Sequence, residues 1–161
     1  MEQEIFTLAV QRYQNMIFRI ALHYFGDTDD ADDAVQEVFF KLYLQRSDFE
    51  SEEHLKHWLM RVAINYCKDS LRSPWRKRRI SLEAMNDQPV FDRAEESALF
   101  REVMALPEKY RTVLNLFYYE ELSTQEIAAL LDVRQSAVTT RLSRARAQLK
   151  KRLGDAWNDD E

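Results

Sequence analysis

The sequence predicts an all-α protein of two small helical domains joined by a flexible linker, the second domain being a helix-turn-helix. Only two glycines and three prolines occur in 161 residues, which disfavours a turn-rich β protein and fits helices with short connections. Apolar residues recur three and four positions apart along most of the chain, the spacing of one helix face. With 45% apolar residues, the chain has enough hydrophobic side chains for packed cores.

The first predicted domain contains three helices, each with an apolar face. The inward residues are Tyr13, Ile17, Ile20, Ala21 and Tyr24, then Ala31, Ala34, Val35, Val38, Phe39 and Leu42, then Leu55, Trp58, Leu59, Val62, Ala63 and Tyr66. Gly26 and Asp27 form a turn between the first two helices. Asp29 or Asp30 is expected to cap the second helix, because a side-chain carboxylate can accept a free N–H of the first turn.

A linker over residues 73–95 separates the first domain, residues 1–72, from the second, residues 96–155. The apolar spacing lapses in the linker, and Pro74 disfavours the helical region for the residue before it, so the third helix should end there. Residues 156–161 form an acidic tail.

The second domain contains two further helices and then the helix-turn-helix, residues 121–153. The predicted inward residues are Ala98, Leu99, Val103 and Leu106, then Tyr110, Val113, Leu114 and Phe117, then Ile127, Ala128 and Leu131, then Val138, Leu142, Ala145 and Leu149. Pro107 suits the first turn of a helix. Ser123 and Glu126 form a capping box, and Val133 lies in the turn before the longer second helix.

The net charge of −5 hides a strongly uneven distribution. Residues 27–53 hold ten acids against two bases, whereas residues 61–79 hold seven bases against one acid, and residues 134–152 hold seven bases and no acid. Basic stretches can neutralise phosphates, which would repel the acidic one. The alternative for residues 121–153 is a solvated basic pair of helices. DNA binding is favoured because a capping box, a small residue at the helix crossing and a one-sided cation bias occur together.

The sequence argues against an enzyme, a metal site and a cofactor. His54 and His57 could reach one ion from a helix, but no further Cys or His cluster completes the coordination. The sequence contains no phosphate-binding glycine loop, and Cys67 is more consistent with packing than with a nucleophile. One cysteine, no secretory signal and no long apolar run predict a cytoplasmic protein without membrane insertion.

Three segments, in this order, resemble the extracytoplasmic-function class of bacterial RNA polymerase sigma factors. They are "FGDTDDADDAVQEVFFKLY" (25–43), "HLKHWLMRVAINYCKDSLR" (54–72) and "LPEKYRTVLNLFYYEELSTQEIAALL" (106–131). The resemblance implies an alternative sigma factor that binds core RNA polymerase, recognises the −35 and −10 promoter elements and promotes DNA melting. It also implies an anti-sigma factor as a partner. The alternative is a free-standing helix-turn-helix regulator, which would leave the first domain unexplained.

The resemblance implies three sets of binding residues. Core polymerase would contact Asp29, Asp32, Asp33, Gln36, Glu37 and Phe40. The −10 element would contact Arg61, Asn65, Lys68, Asp69 and Arg72, most of which share one helix face by their spacing. The −35 element would contact Arg134, Gln135, Ser136, Thr139, Thr140, Arg141 and Arg144. Without the resemblance, the acids would be interpreted as a solvated helix face.

Two further expectations concern bound DNA. In the resembled family the loop corresponding to residues 47–53 helps to hold a flipped base, on which Trp58 could stack, although a core position is favoured for Trp58. At the second turn the family usually has Gly, Ser and Lys where this chain has Asp132, Arg134 and Thr139. The chain therefore lacks the Ser and the Lys that usually contact phosphate, whereas Arg141 matches a common Arg and is expected to bind phosphate. Base preference is then expected at Gln135, Ser136 and Thr140.

Overall fold

The structure, a computed structural model, describes residues 2–45, 48–73 and 94–154, without the side chains of 94–97. Every regular element within these ranges is helical, and the helices form two compact units. The predicted all-α class with two helical domains is therefore confirmed. Most of the predicted linker and the predicted acidic tail lie outside the described residues, and the domain boundaries stay predictions.

The first unit is a bundle of three helices, α1 (Gln3–Phe25), α2 (Thr28–Leu44) and α3 (Glu52–Arg72). Each helix packs against the other two. All the predicted inward residues of α1 are buried, as are those of α2 except the half-buried Val35. The 3.6-residue period thus predicted this core correctly.

The buried side of α3 is rotated from its predicted position. Met60, Ile64 and Cys67 are fully buried although the sequence pattern did not select them, whereas Trp58 and Tyr66 are only half-buried. Because α3 contacts two neighbouring helices, its buried arc is wider than a single apolar stripe. The burial of Cys67 agrees with its predicted packing role.

The predicted cap of α2 is wrong by two or three residues. Gly26 ends α1 in the left-handed conformation at φ 71°, which glycine adopts without a Cβ clash. Asp27 is then extended, and its Oδ1 accepts the N–H of Asp29 at 2.8 Å, so Asp27 is the N-cap. Asp30 instead lies buried in the first turn. Asp27 is therefore both a residue of the predicted turn and the N-cap of α2.

The start of α3 is fixed by its own cap and by α1. Ser51 Oγ accepts the N–H of His54 at 3.0 Å. Tyr13 Oη donates to Glu52 Oε2 at 2.7 Å, and Arg12 lies 3.1 Å from the same oxygen. The Tyr13 hydrogen bond, followed by the Arg12 charge, lowers the pKa of Glu52.

The second unit contains α4 (Ala94–Met104), α5 (Glu108–Leu114), α6 (Thr124–Leu131) and α7 (Gln135–Leu153). Helices α5 and α6 pack on the apolar face of α7, where Val138, Leu142 and Ala145 are buried as predicted. Ala98 and Leu99 of α4 are exposed rather than inward. The contact of α4 with α7 is nearer its C-terminal end, where Arg152 Nε lies 2.9 Å from Glu102 Oε2.

A π-helical turn, Asn115–Tyr119, continues α5 and shifts its register. The Glu120 N–H bonds the Asn115 carbonyl at 3.1 Å, five residues back. Leu116 is consequently fully buried, and Phe117, which α-helical spacing predicts inward, is half-buried. Tyr118, in the same π-helical turn, is exposed and contacts Arg146 of α7.

The helix-turn-helix has the predicted local chemistry. Ser123 and Glu126 form both bonds of the capping box, at 3.1 and 3.0 Å. Asp132 ends α6 in the left-handed region at φ 57°, a conformation that Asp adopts at some cost at the position where the resembled family usually has Gly. No helix in the described ranges is long and apolar enough to cross a membrane.

Candidate nucleic-acid interface

The outward face of α2 carries the side chains predicted to bind core polymerase. Their spacing places all of them on one side of the helix, opposite Ala31, Ala34 and Val38. Asp29, Asp32, Asp33 and Gln36 are exposed, and Glu37 lies 3.9 Å from Lys41 Nζ. Phe40 follows the acids and is 58% exposed, a large apolar surface in water. The structure therefore brings these residues together, and their contact with polymerase stays a prediction.

The outward face of α3 carries the residues predicted to bind the −10 element. Arg61, Asn65, Asp69 and Arg72 are exposed, and Lys68 is half-buried. This face is opposite the buried residues of α3, which leaves its side chains available to base edges and phosphates. The DNA contact itself stays a prediction.

An aromatic cluster lies at the start of α3. The Phe49 ring is 5.2 Å from the His54 ring and 5.5 Å from the Trp58 ring, both edge-on. Trp58 is half-buried, so it packs within the unit and also keeps part of its ring open to solvent. His57 Nε2 lies 3.5 Å from Glu53 Oε1, and the Glu50 N–H donates to His54 Nδ1.

An open groove of about 340 Å³ runs along the first half of α7. Its lining residues are Lys109, Tyr110, Arg134, Ser136, Ala137, Thr140, Arg141 and Arg144. Five of the seven residues predicted to bind the −35 element are in this set. The groove therefore joins hydroxyl groups, which can bond bases or phosphates, to cations that favour phosphates.

The remaining two predicted −35 residues make bonds within the unit. Gln135 Nε2 donates to Thr124 Oγ1 of α6 at 2.9 Å, and Thr139 Oγ1 donates to the Gln135 carbonyl at 3.1 Å. Arg134 precedes α7 as its N-cap residue, and its side chain makes no capping bond to the described first turn. Gln135 thus ties the two helices of the motif together.

Two further cations of the basic stretch are engaged on the flanks of α7. Arg146 lies 5.5 Å from the ring centres of Phe117 and Tyr118, and its Nε donates to Tyr118 Oη. Arg152 pairs with Glu102. The basic stretch therefore divides into cations that hold the unit together and cations that line the groove.

Sequence reasoning missed Lys109, which lies at the start of α5, 25 positions before Arg134. Its Nζ is 5.1 Å from the Tyr110 ring centre, and Tyr110 is buried. Residues so far apart in sequence are brought together by packing of α5 on α7. In the sequence, Lys109 is a lysine in the first turn of a helix that follows a proline. This pattern is too common to identify a binding residue.

Two family models match the chain. Residues 9–77 match "Sigma-70 region 2", and residues 97–149 match "Sigma-70, region 4". The two matches cover the first and second units respectively.

The chain is also similar to curated proteins over nearly its whole length. It is 27% identical to the "ECF RNA polymerase sigma factor SigW" of Bacillus subtilis, covering 96% of this chain and 91% of that protein. It is 29% identical to the "RNA polymerase sigma-H factor" of Pseudomonas aeruginosa, covering 94% and 88%.

Two solved structures share the fold. The sigma factor RpoE from Bartonella quintana, solved with the anti-sigma factor NepR, superposes with a TM-score of 0.76 at 20% identity, covering 93% of this chain and 97% of that chain. CnrH, solved with the cytosolic domain of CnrY, superposes with a TM-score of 0.62 at 26% identity, covering 99% and 91%.

Proposed function

We propose that the oppositely charged faces of this chain bind different partners. The premise is that the chain belongs to the extracytoplasmic-function class of bacterial RNA polymerase sigma factors. The chain is an alternative sigma factor for promoter recognition by RNA polymerase. The observation that carries the proposal is the separation of charge. The outward face of α2 is acidic, whereas the outward faces of α3 and α7 are basic.

The acidic face of α2 binds a basic surface of core polymerase. Asp32, Asp33 and Glu37 would be repelled by DNA phosphates, so their density suits a protein partner. Phe40 supplies an apolar contact at the end of the same face, and its exposure in the free chain supports burial in a complex. Charge would steer the encounter, and Phe40 would slow dissociation.

The outward face of α3 binds the melted strand at the −10 element. Asn65 offers a donor and an acceptor to a base edge, and Arg61 and Arg72 on either side offer charge to phosphates. A base flipped from the strand could stack on the open part of Trp58, beside Phe49. The energy of these contacts would offset the cost of unstacking.

Helix α7 lies in the major groove of the −35 element. Ser136 and Thr140 project toward base edges, and Arg141 and Arg144 toward phosphates. The support is that these four side chains line one groove on the solvent side of a helix whose other side is core. Gln135, bonded to Thr124, would orient the motif and bind DNA through its remaining amide groups.

An anti-sigma factor is the proposed regulator, and the support is that the structurally similar RpoE was solved in complex with the anti-sigma factor NepR. Two basic faces would bind DNA indiscriminately unless they were covered. The sites proposed here act by binding, with no catalytic residue, and the place of action is the cytoplasm, where polymerase and promoters are.

The direct test is co-elution of the purified chain with core RNA polymerase on size exclusion, compared with binding to duplex DNA alone. We expect a stoichiometric complex with polymerase and promoter binding that requires it. A chain that binds duplex DNA tightly as a dimer and does not co-elute with polymerase would instead be a free-standing helix-turn-helix regulator.

A further inference from the structure

Arg12 and Tyr13 of α1 belong to none of the three predicted binding sets, yet both bind the first residue of α3. Tyr13 Oη donates to Glu52 Oε2 at 2.7 Å, and Arg12 Nη1 lies 3.1 Å from the same oxygen. The Tyr13 hydrogen bond lowers the pKa of Glu52, so the acceptor is a carboxylate at neutral pH. These three residues form a charge-assisted junction between α1 and the N-terminal end of α3.

The donor side of this junction is held by the core of the first unit. Tyr13 is 8% exposed, and Ala9, Met16 and Ile17, one turn away on the same face of α1, are buried with it. A packed ring holds its hydroxyl at a fixed point. The Glu52 side chain is 65% exposed and would sample several rotamers without a partner. The core therefore determines where the Glu52 carboxylate lies.

The loop before α3 is linked to the junction by a series of short contacts. Ser51, the N-cap of α3, accepts the His54 N–H at 3.0 Å, and the Glu50 N–H donates to His54 Nδ1 at 3.1 Å. The Phe49 ring contacts the rings of His54 and Trp58 edge-on. A displacement of the start of α3 would therefore move Phe49 relative to Trp58.

We propose that Arg12 and Tyr13 are positioning residues for promoter melting, which hold Phe49 and Trp58 in the arrangement that accepts a flipped base. The inference rests on the proposed binding of the melted strand at α3 and Trp58. Phe49 lies 5.5 Å from Trp58, so it bounds one side of the surface on which a base would stack. Flipping a base costs a few kcal/mol, and a preformed surface offsets that cost without the further cost of ordering the loop. Neither positioning residue would touch DNA.

The first test is a double-mutant cycle in open-complex formation by the chain with core polymerase, on a promoter selected by that complex from a randomised pool. Tyr13→Phe keeps the ring and removes the hydroxyl donor. It should reduce melting about three- to tenfold, the range for one hydrogen bond, at unchanged polymerase affinity. In a Phe49→Ala background the same change should have little further effect, because the ring that it positions is gone. Permanganate reactivity of promoter thymines measures melting.

A second test uses promoters in which one base at a time of the melted strand is replaced by an abasic site. At the position of the flipped base, Tyr13→Phe and the wild type should melt the promoter equally, because no base remains to be held. At every other position the difference between them should persist. Glu52→Gln, which keeps an acceptor for Tyr13, should reduce melting less than Glu52→Ala.

Ile20→Val is the matched control, because it removes one buried methyl group from α1 without touching the junction and should leave melting unchanged. Wild-type melting by Tyr13→Phe would overturn the inference. A loss that is equal at every abasic position and undiminished in the Phe49→Ala background, or equal to that of Ile20→Val, would assign the effect to stability and also overturn it. A wild-type chain that is insensitive to every abasic site would contradict the proposed base stacking on Trp58, and the inference with it.

Discussion

Helices α2 and α7 are similar in length, with 17 and 19 residues, and both bury one apolar face in a small helical unit. Their outward faces are opposite in charge. The outward side of α2 presents acids followed by Phe40, whereas that of α7 presents hydroxyl groups and arginines. The apolar period therefore determines which face of each helix is buried, and the residues at the other positions can determine which partner the helix binds.

The two helices also begin differently. Asp27 caps α2, and Asp29 and Asp30 in the first turn favour the positive end of the helix dipole. Arg134 precedes α7 without a side-chain capping bond, and the described first turn contains no acid. A capped start stabilises α2, whereas the start of α7 places a cation in the groove at the expense of helix stability.

The largest expected effect is the loss of stability caused by a change on the buried side of α7, compared with a change on its groove side. Leu142→Ala should destabilise the second unit by about 2–5 kcal/mol, because Leu142 is 2% exposed and its loss leaves a cavity. Thr140→Ala, on the groove side, should change stability by no more than about 0.5 kcal/mol and still weaken DNA binding. Hydrogen exchange with mass spectrometry can follow α5–α7 separately from α1–α3. Equal loss of protection in both units after Leu142→Ala would contradict their separate cores.

The next effect concerns the outward face of α3. Asn65→Ala together with Lys68→Ala should reduce open-complex formation about tenfold, or about 1.4 kcal/mol, the size of one or two polar contacts. Binding to core polymerase should change little, because the acidic face is on α2. Permanganate reactivity of promoter thymines reports melting. Normal melting by this variant would indicate that the face is structural.

A smaller effect tests the uncapped start of α7. Arg134→Ser should raise the stability of the second unit by about 1 kcal/mol, because a serine hydroxyl can accept an N–H of the first turn. The same change should weaken −35 binding and lower the salt slope by about 0.9, since one groove cation is lost. Urea unfolding and a salt titration measure the two quantities. Gains in both stability and affinity would show that Arg134 does not contact phosphate.

The smallest effect concerns pH and the junction of α1 with α3. Tyr13→Phe removes the hydrogen bond that holds the pKa of Glu52 below its usual value. Because the pKa of Glu52 is lower in the folded state, the ionised carboxylate stabilises the fold at pH values above the unfolded-state pKa. This stabilisation is lost as the pH falls through the folded-state pKa. Wild type should therefore have a higher thermal midpoint than Tyr13→Phe at neutral pH, and the difference should narrow in acid. A difference in thermal midpoint that does not change with pH would show that the Tyr13 hydroxyl acts through packing rather than through the ionisation of Glu52.

The sequence predicted the class of fold and most of the core because amphipathic periods report directly on burial. It missed features that depend on tertiary contacts or on single hydrogen bonds. The rotation of α3 follows from contact with two helices, and the π-helical turn buries Leu116 instead of Phe117 through one shifted bond. Lys109 could not be selected because its partners in the groove are distant in the chain. The resemblance, rather than periodicity, selected the acids of α2.

The central claim is that the acidic and basic faces have different partners, and one crossed measurement tests it. Asp32→Ala with Glu37→Ala, and Arg141→Ala with Arg144→Ala, are each titrated against core polymerase and against a −35 duplex, with Glu2→Ala and Glu4→Ala as the charge-matched control for the acids. The account predicts that the acidic pair weakens only polymerase binding and that the arginine pair weakens only DNA binding. Unchanged polymerase affinity in the acidic variant, or unchanged duplex affinity and salt slope in the arginine variant, would contradict it.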